Sequence, residues 1–143
     1  MSDRDRIHLP DAEWQVMLAV WQADEQAAGE IIDRVLQQRD WNHRTIRTLL
    51  ARLVEKGAVD VRVDGAKYLY RAAVTREACV RSAAKSFAER FFGGSPQSML
   101  LHFVENEELS DEELDQLRLS LDARKQRASQ GKNRKRGRRR KEE

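Results

Sequence analysis

The segment WNHRTIRTLLARLVEKGAVDVRVDGAKYLY, residues 41–70, decides the fold that we predict. Its first half predicts a helix, because apolar residues recur at i, i+3, i+4, i+7 and i+8 after Asn42, a favourable N-cap. These apolar residues are Ile46, Leu49, Leu50, Leu53 and Val54. Gly57 suits the position just past a helix end, because glycine accepts the left-handed conformation needed there. We therefore expect the third helix of the chain to end before Gly57.

After Gly57 the apolar period falls from 3.6 to 2, which predicts strands. Valines alternate with charged residues along residues 59–63, and tyrosines flank Leu69 along residues 68–70. The pair Asp64-Gly65 between them is a tight-turn signal. The second half of the segment therefore predicts a small β-hairpin directly after the third helix.

Two shorter helices are predicted before this segment. The first begins at Asp11 and has one apolar face, made of Trp14, Met17, Leu18 and Trp21. The second covers residues 29–38, and its buried stripe is Ile31, Ile32, Val35 and Leu36. The helical spacing of two tryptophans and the junction position of Trp41 indicate core packing rather than a stacking platform for single-stranded nucleic acid. Three short helices followed by a hairpin are the arrangement of a winged helix-turn-helix, whose third helix enters the major groove.

Three more helices are predicted after the hairpin. Thr75 caps the fourth helix, which reaches Phe92, and Ser95-Pro96 opens the fifth. Ser110 and Glu113 form a capping box for the sixth helix, which we expect to reach about residue 127.

The predicted fold class is mainly α with a small β-hairpin. We predict a winged helix-turn-helix domain at residues 7–73 and a three-helix dimerisation unit at residues 74–127. The tail at residues 128–143 has no apolar side chain larger than Ala, so it cannot bury a core and is predicted to be disordered.

The apolar residues of the fourth to sixth helices are too many for a unit of about 50 residues to bury alone. We predict that they form a dimer interface. Its residues are Phe87, Phe91, Leu101, Phe103, Leu114, Leu117 and Leu121. Packing of the same residues onto the winged domain is the alternative.

Charge is distributed unevenly along the chain. The net charge is +3, but residues 132–143 carry +6, so the rest of the chain carries about −3. Residues 39–71 hold eight basic and four acidic residues, whereas residues 105–122 hold eight acidic and one basic. The third helix and the hairpin therefore lie in the part of the chain suited to phosphates.

The outward side of the third helix supplies the candidate DNA contacts, because Arg and Thr side chains can bind phosphates and base edges. On this helix they are His43, Arg44, Thr45, Arg47, Thr48 and Arg52, and on the hairpin they are Arg62 and Lys67. A solvated charged face is the alternative for the arginines of the third helix, and solvent exposure without a DNA contact is the alternative for Arg62 and Lys67. For Thr45, the alternative is a hydrogen bond from its side chain back to the preceding turn.

Several function classes are excluded by composition. The single Cys79 excludes an intramolecular disulfide, and no His or Cys pair has zinc-ligand spacing. No arrangement of Ser, Asp or Glu around the three isolated histidines suggests catalysis, so we expect no enzyme, no cofactor and no metal site. No apolar run reaches 18 residues and the first ten residues lack an apolar core, so we expect a cytoplasmic protein without membrane insertion.

The runs DAEWQVMLAVW, WNHRTIRTLLARLVEKGAVDVRVDGAKYLY and SMLLHFVENEELSDEELDQL, which together span roughly residues 7–125, resemble the penicillinase-repressor (BlaI/MecI) family of bacterial transcriptional regulators. The resemblance implies a homodimeric repressor, with a winged helix on double-stranded operator DNA and C-terminal helices that join two chains. In the family, the positions that match Arg44, Thr45, Thr48 and Arg52 approach DNA.

The resemblance also implies relief of repression by a regulatory protease that cuts the C-terminal unit. The matching segment is LLHFV, residues 100–104, with His102-Phe103 as the candidate cleavage site. The best-known members have Asn where this chain has His102. Copper-responsive relatives carry a C-terminal cysteine cluster, which this chain lacks, and nothing in the resemblance explains the basic tail.

We expect a homodimeric repressor of a pseudo-palindromic operator. Two alternatives remain, namely a winged-helix module that binds another protein, and a non-specific nucleic-acid binder driven by the basic tail. For the tail itself, a phosphate-following arm competes with a merely solubilising end.

Overall fold

The chain alternates helices and short strands in its first half and is helical in its second. The structure, a computed structural model, describes residues 7–142 and side chains up to residue 138. The expectation that the first ten residues lack an apolar core concerns in part residues 1–6, which lie outside this range. Within it, the elements are α1 (Asp11–Val20), β1 (Gln26–Ala27), α2 (Ala28–Gln38), α3 (His43–Glu55), β2 (Val59–Asp64), β3 (Lys67–Ala72), α4 (Arg76–Phe91), α5 (Pro96–Asn106) and α6 (Asp111–Glu142). The predicted fold class, mainly α with a winged helix-turn-helix, is confirmed.

The hairpin belongs to a three-stranded antiparallel sheet of order β1-β3-β2. Strand β1 pairs with β3 through Gln26 opposite Tyr70 and Ala27 opposite Leu69. The prediction of a two-stranded hairpin was therefore incomplete, because a two-residue strand is too short to show an apolar period. The added strand joins the base of the wing to the segment between α1 and α2.

The core of the N-terminal half lies among α1, α2, α3 and the start of β2. Its fully buried side chains include Met17, Ile31, Ile46, Leu53 and Val59. In α1 the buried stripe consists of Glu13, Val16, Met17, Ala19 and Val20. Leu18, which we placed on the buried face, is only half-buried. Apolar residues occur on most sides of α1, so periodicity alone did not determine its orientation.

The tryptophans pack against this core, as predicted. Trp14 and Trp21 meet edge to face with ring centroids 5.2 Å apart, and Trp41 packs against the buried cluster. The indole N–H of Trp21 donates to the backbone carbonyl of Val74 at 2.9 Å. This bond connects α1 to the segment that follows the sheet.

The predicted helix boundaries are confirmed where capping residues determine them. Asn42 Oδ1 accepts from the Thr45 N–H, and Thr75 Oγ1 accepts from the Ala78 N–H. At the start of α6, Ser110 and Glu113 bond each other's backbone N–H groups. Gly57 has φ of +81°, and the residue after it donates to the carbonyl of Leu53, which completes a Schellman cap for α3.

The chain divides into two units, one up to Pro96 and one from Gln97 onward. This division groups α4 with the winged half, whereas the boundary predicted at residue 73 groups it with the C-terminal helices. Between Gln97 and residue 138, no side chain is classed as buried.

The prediction that the chain is disordered after about residue 127 was wrong, since α6 continues as one helix to Glu142. Beyond residue 127 the helix contains no proline, and its Lys, Arg, Gln and Ala residues, which are good helix formers, outnumber Gly131 and Gly137. Acidic residues occupy the first turn and basic residues the second half, an order that the helix dipole favours. Lack of a buried face therefore did not prevent helix formation.

Candidate nucleic-acid interface

Helix α3 presents one continuous exposed surface. All six residues that we predicted on it, from His43 to Arg52, are exposed, while its opposite side is buried in the core. Its first turn contains no acidic residue. Three arginines and the positive end of the helix dipole therefore share a surface that can accept phosphates or base edges.

Ala51 keeps the middle of this surface shallow. It lies exposed between the arginines of α3, and its methyl group allows close approach of a base pair. The major groove of B-DNA is about 12 Å wide and admits one helix. The exposed side of α3 has the shape and the chemistry that such a groove requires.

The two threonines of α3 differ in their hydrogen bonds. Thr48 Oγ1 donates to the carbonyl of Arg44 at 3.0 Å, one turn earlier in the helix. Thr45 instead donates its backbone N–H to the Asn42 cap. The hydrogen bond to the preceding turn, which is the alternative for Thr45, is thus made by Thr48. The Thr48 hydroxyl oxygen can still accept a hydrogen bond through its lone pairs.

A groove of about 350 Å³ separates α3 from the hairpin. Arg47, Ala51 and Val54 line its helical wall, and Val61 and Tyr70 line its sheet wall. Beyond them, Val63 and Tyr68 face each other across the strands and are 65% and 59% exposed. The wing therefore offers an apolar face toward its tip as well as charge.

The two hairpin residues predicted to contact DNA have different surroundings. Arg62 forms a salt bridge with Glu25, with Nε donating to Oε1 at 2.6 Å and Nη2 donating to Oε2 at 2.8 Å. The hydrogen bonds that Arg62 donates to the Glu25 carboxylate lower the pKa of Glu25 and raise the pKa of Arg62. Lys67 is exposed beside the turn and pairs in register with Asp64. Of the two, Lys67 is the more available to a phosphate.

Helix α3 is held in place by a charged contact that no local sequence signal predicts. Lys56, its C-cap, donates to the carboxylate of Glu13 and, at 3.0 Å, to the carbonyl of His8. Glu13 is only 3% exposed although it is charged. Glu13 lies in a mostly apolar helix. Its spacing with Met17 and Val20, at i, i+4 and i+7, was the one sequence signal that indicated its burial.

Gln26 is a second buried polar residue that was missed. Its amide donates to the carbonyls of Ala19 and Val20 at the end of α1, at 3.0 and 3.2 Å. Its oxygen accepts from Arg34 Nε at 2.9 Å. No sequence signal distinguishes this glutamine, because Gln is mostly an exposed residue.

The seven residues predicted at the dimer interface are exposed in the single chain. On α4, Phe87 and Phe91 lie with ring centroids 4.9 Å apart. The remaining five lie on α5 and α6, where the exposed fractions range from 40% for Leu114 and Leu117 to 65% for Leu121.

The candidate cleavage site lies inside α5. His102 and Phe103 are both exposed, and Asn106 Nδ2 donates to the carbonyl of His102 at 2.9 Å. The carbonyl of the candidate scissile bond is therefore part of a helical hydrogen-bond network. A protease would have to open this turn of α5 before cutting it.

The described residues offer neither a metal centre nor a membrane span. No group of three His, Cys, Asp or Glu residues in that part of the chain could hold a metal ion, and none of its helices is long and apolar enough to cross a membrane. Burial raises the pKa of the Cys79 thiol, which disfavours the reactive thiolate.

The model of the penicillinase repressor family matches residues 9–123 of this chain. The chain belongs to that family. The match covers every element from α1 to α5 and the start of α6. The family is one of repressors and not of enzymes, which confirms both the resemblance and the expectation that the chain is not an enzyme.

Curated relatives match almost over their full lengths. The methicillin resistance regulatory protein MecI of Mammaliicoccus sciuri is 35% identical over 116 residues, covering 81% of this chain and 94% of the relative. The penicillinase repressor of Bacillus licheniformis is 33% identical over 119 residues, covering 83% and 93%. The solution structure of the DNA-binding domain of the repressor BlaI is 28% identical, covers 50% of this chain and 87% of that chain, and has a TM-score of 0.46.

Proposed function

We propose that this penicillinase-repressor family member is a transcriptional repressor that binds a pseudo-palindromic DNA operator as a homodimer. The observation that carries the proposal is the surface of α3, where three arginines and two threonines stand exposed on a helix with no acidic residue in its first turn. Family membership supports the same role, since the family and its Bacillus licheniformis member are named as penicillinase repressors.

In this proposal, α3 enters the major groove and the wing rests beside it. Arg44, near the start of the helix, reads a base edge, because an arginine can bond both acceptors of guanine. Arg47 and Arg52 on the flanks, with Lys67 on the hairpin, bind phosphates and position the helix. Thr45 and Thr48 complete the contact with their hydroxyl oxygens, and His43 lies next to the N-cap.

Dimerisation supplies the second half of the recognition surface. The described part of the chain from Gln97 onward buries no side chain, yet carries a row of exposed leucines together with Phe103. Such residues gain about 25 cal/mol per Å² when they leave water, so two copies stabilise each other by covering them. A two-fold dimer then sets two α3 helices one helical turn of DNA apart, or a multiple of it.

Proteolysis is the proposed route to relief of repression. A cut between His102 and Phe103 removes α6 and part of α5 from the winged half, so each DNA-binding unit is left alone on a half-site. A variant ending at His102 should therefore be monomeric and bind operator much more weakly than the full chain, with the same preferred half-site sequence. Equal affinity of the two proteins for operator would contradict this route.

The proposal is tested by selection from a pool of random DNA duplexes, with the bound fraction sequenced. The full chain and a variant ending at Arg127 are compared at near-physiological salt. Recovery of one two-fold symmetric motif with both proteins is the expected result. No motif with either protein would favour a protein-binding module, and enrichment that is lost with the tail would favour a non-specific binder.

A further inference from the structure

The last part of α6 differs in charge from the rest of the chain. We call residues 124–141 the basic extension: this segment contains eleven Lys and Arg residues and no Asp or Glu. It is helical throughout, and its side chains are exposed wherever they are described. Its described basic residues are Arg124, Lys125, Arg127, Lys132, Arg134, Lys135, Arg136 and Arg138.

We propose that the basic extension is a second DNA-binding element, which binds the phosphate backbone of duplex DNA without base preference. It would act in addition to α3, whose contacts select the sequence. The proposal does not depend on operator recognition, because phosphate binding can be measured on duplexes of any sequence.

The linear charge density of the helix is comparable to that of DNA. At a rise of 1.5 Å per residue, 18 residues span about 26 Å, so the extension carries about one positive charge per 2.4 Å. A duplex carries about one negative charge per 1.7 Å of its axis. A duplex segment of the same length therefore carries about 15 phosphates, counted over both strands, against the eleven cations of one extension.

The extension cannot be explained as a packing element. After Leu121, α6 contains no apolar residue larger than Ala, so no face of this segment can bury hydrophobic surface. Like charges one helical turn apart, such as Arg134 and Arg138, repel each other and have no carboxylate between them. A polyanion along the helix relieves this repulsion, whereas solvent alone only screens it.

A second copy of the chain is the competing partner, because residues 105–122 hold eight acidic residues. Two observations favour DNA. Seven of the eleven basic residues are arginine, whose planar guanidinium matches phosphate oxygens with two hydrogen bonds. The acidic residues, by contrast, are divided among the end of α5, a loop, the start of α6 and the isolated Asp122, so they do not form a continuous row along one helix.

The test compares two variants of the full chain with equal loss of charge. The tail variant carries Arg134→Gln, Lys135→Gln and Arg136→Gln. The matched control carries Arg76→Gln, Arg81→Gln and Lys85→Gln, which are exposed positions on α4 and likewise two arginines and one lysine. Affinity for a labelled duplex of arbitrary sequence is measured from 50 to 200 mM salt, and circular dichroism checks that helix content is retained.

We expect the slope of log affinity against log salt to become shallower by up to about 2.7 in the tail variant, at about 0.9 per lost phosphate contact. Between 50 and 200 mM salt, the affinity of the tail variant for the duplex should therefore fall by up to about 40-fold less than that of the unmodified chain. The control should keep the slope of the unmodified chain. If the slope changes equally in both variants, the effect comes from net charge alone and the proposal is wrong. An unchanged slope in both variants would also overturn it.

Sedimentation of the same proteins tests the competing partner. If the tail variant loses self-association and keeps its DNA slope, the basic extension pairs with the acidic segment of a second copy, and the proposal is wrong. Loss of the two-fold operator motif in the selection experiment would instead contradict the function proposed for α3 and leave the expected salt slopes in place.

Discussion

Arg62 on β2 and Glu25, in the loop before β1, form a salt bridge with two hydrogen bonds, of 2.6 and 2.8 Å. The pair ties the wing to the loop that follows α1, although the two residues are 37 positions apart in the chain. It also engages the guanidinium that we predicted to contact DNA. The structure thus gives Arg62 a role within the protein that its place in the sequence did not reveal.

The Glu25–Arg62 pair predicts a pH effect with a defined sign. Because Arg62 lowers the pKa of Glu25, the stabilisation from the pair is complete above the ordinary carboxyl pKa and is lost as pH falls through the lowered value. In Arg62→Gln, the pKa of Glu25 should rise toward its ordinary value, as a carboxyl carbon NMR titration would show. An unchanged titration would mean that the pair does not persist in solution.

Arg44→Ala is expected to weaken binding to the selected operator by about 1–3 kcal/mol if Arg44 makes a two-bond base contact. The loss should be accompanied by relaxed preference at one position of each half-site. Fluorescence anisotropy with operator and scrambled duplexes measures both. Arg81→Ala, an exposed change on α4, is the control, and an unaltered ratio of operator to scrambled affinity in Arg44→Ala would remove Arg44 from base recognition.

The leucines of α6 allow a matched test of the proposed dimer. Leu114, Leu117 and Leu121 share one face at i, i+3 and i+7, whereas Leu119 lies on the other side of the helix. Leu117→Asp should dissociate the dimer, because a carboxylate cannot be buried unpaired. Leu119→Asp should leave it intact. Light scattering gives the mass of each, and a dimer that survives Leu117→Asp would place the interface elsewhere.

Lys56→Met should lower the free energy of unfolding by about 3 kcal/mol, since it leaves the buried Glu13 carboxylate without its cation. We expect the low end of the range for buried pairs because the Lys56 side chain is 34% exposed. Urea unfolding measures the loss. Lys85→Met on α4 should change stability by no more than about 0.5 kcal/mol, and a similar small effect for Lys56→Met would show that the contact contributes little.

Local sequence signals predicted most of the winged half and the starts of α4 and α6. Asn42, Gly57, Thr75 and Ser110 marked helix boundaries because caps act within one turn, and the change of period after Gly57 identified the hairpin. The exposed side of α3 was predicted for the same reason. Its buried stripe is strictly periodic, so the remaining positions had to point outward.

Features that depend on distant residues could not be predicted in this way. Strand β1 exists only because β3 offers it partners, and Glu13 tolerates burial only because Lys56 lies 43 positions later in the chain. The sequence by itself determined the order of the six helices and the hairpin, the helix caps and the exposed chemistry of α3, since these follow from interactions between near neighbours. Only the tertiary structure decided which face of α1 is buried and that Arg62 forms a salt bridge with Glu25, because those outcomes depend on which residues the fold brings together.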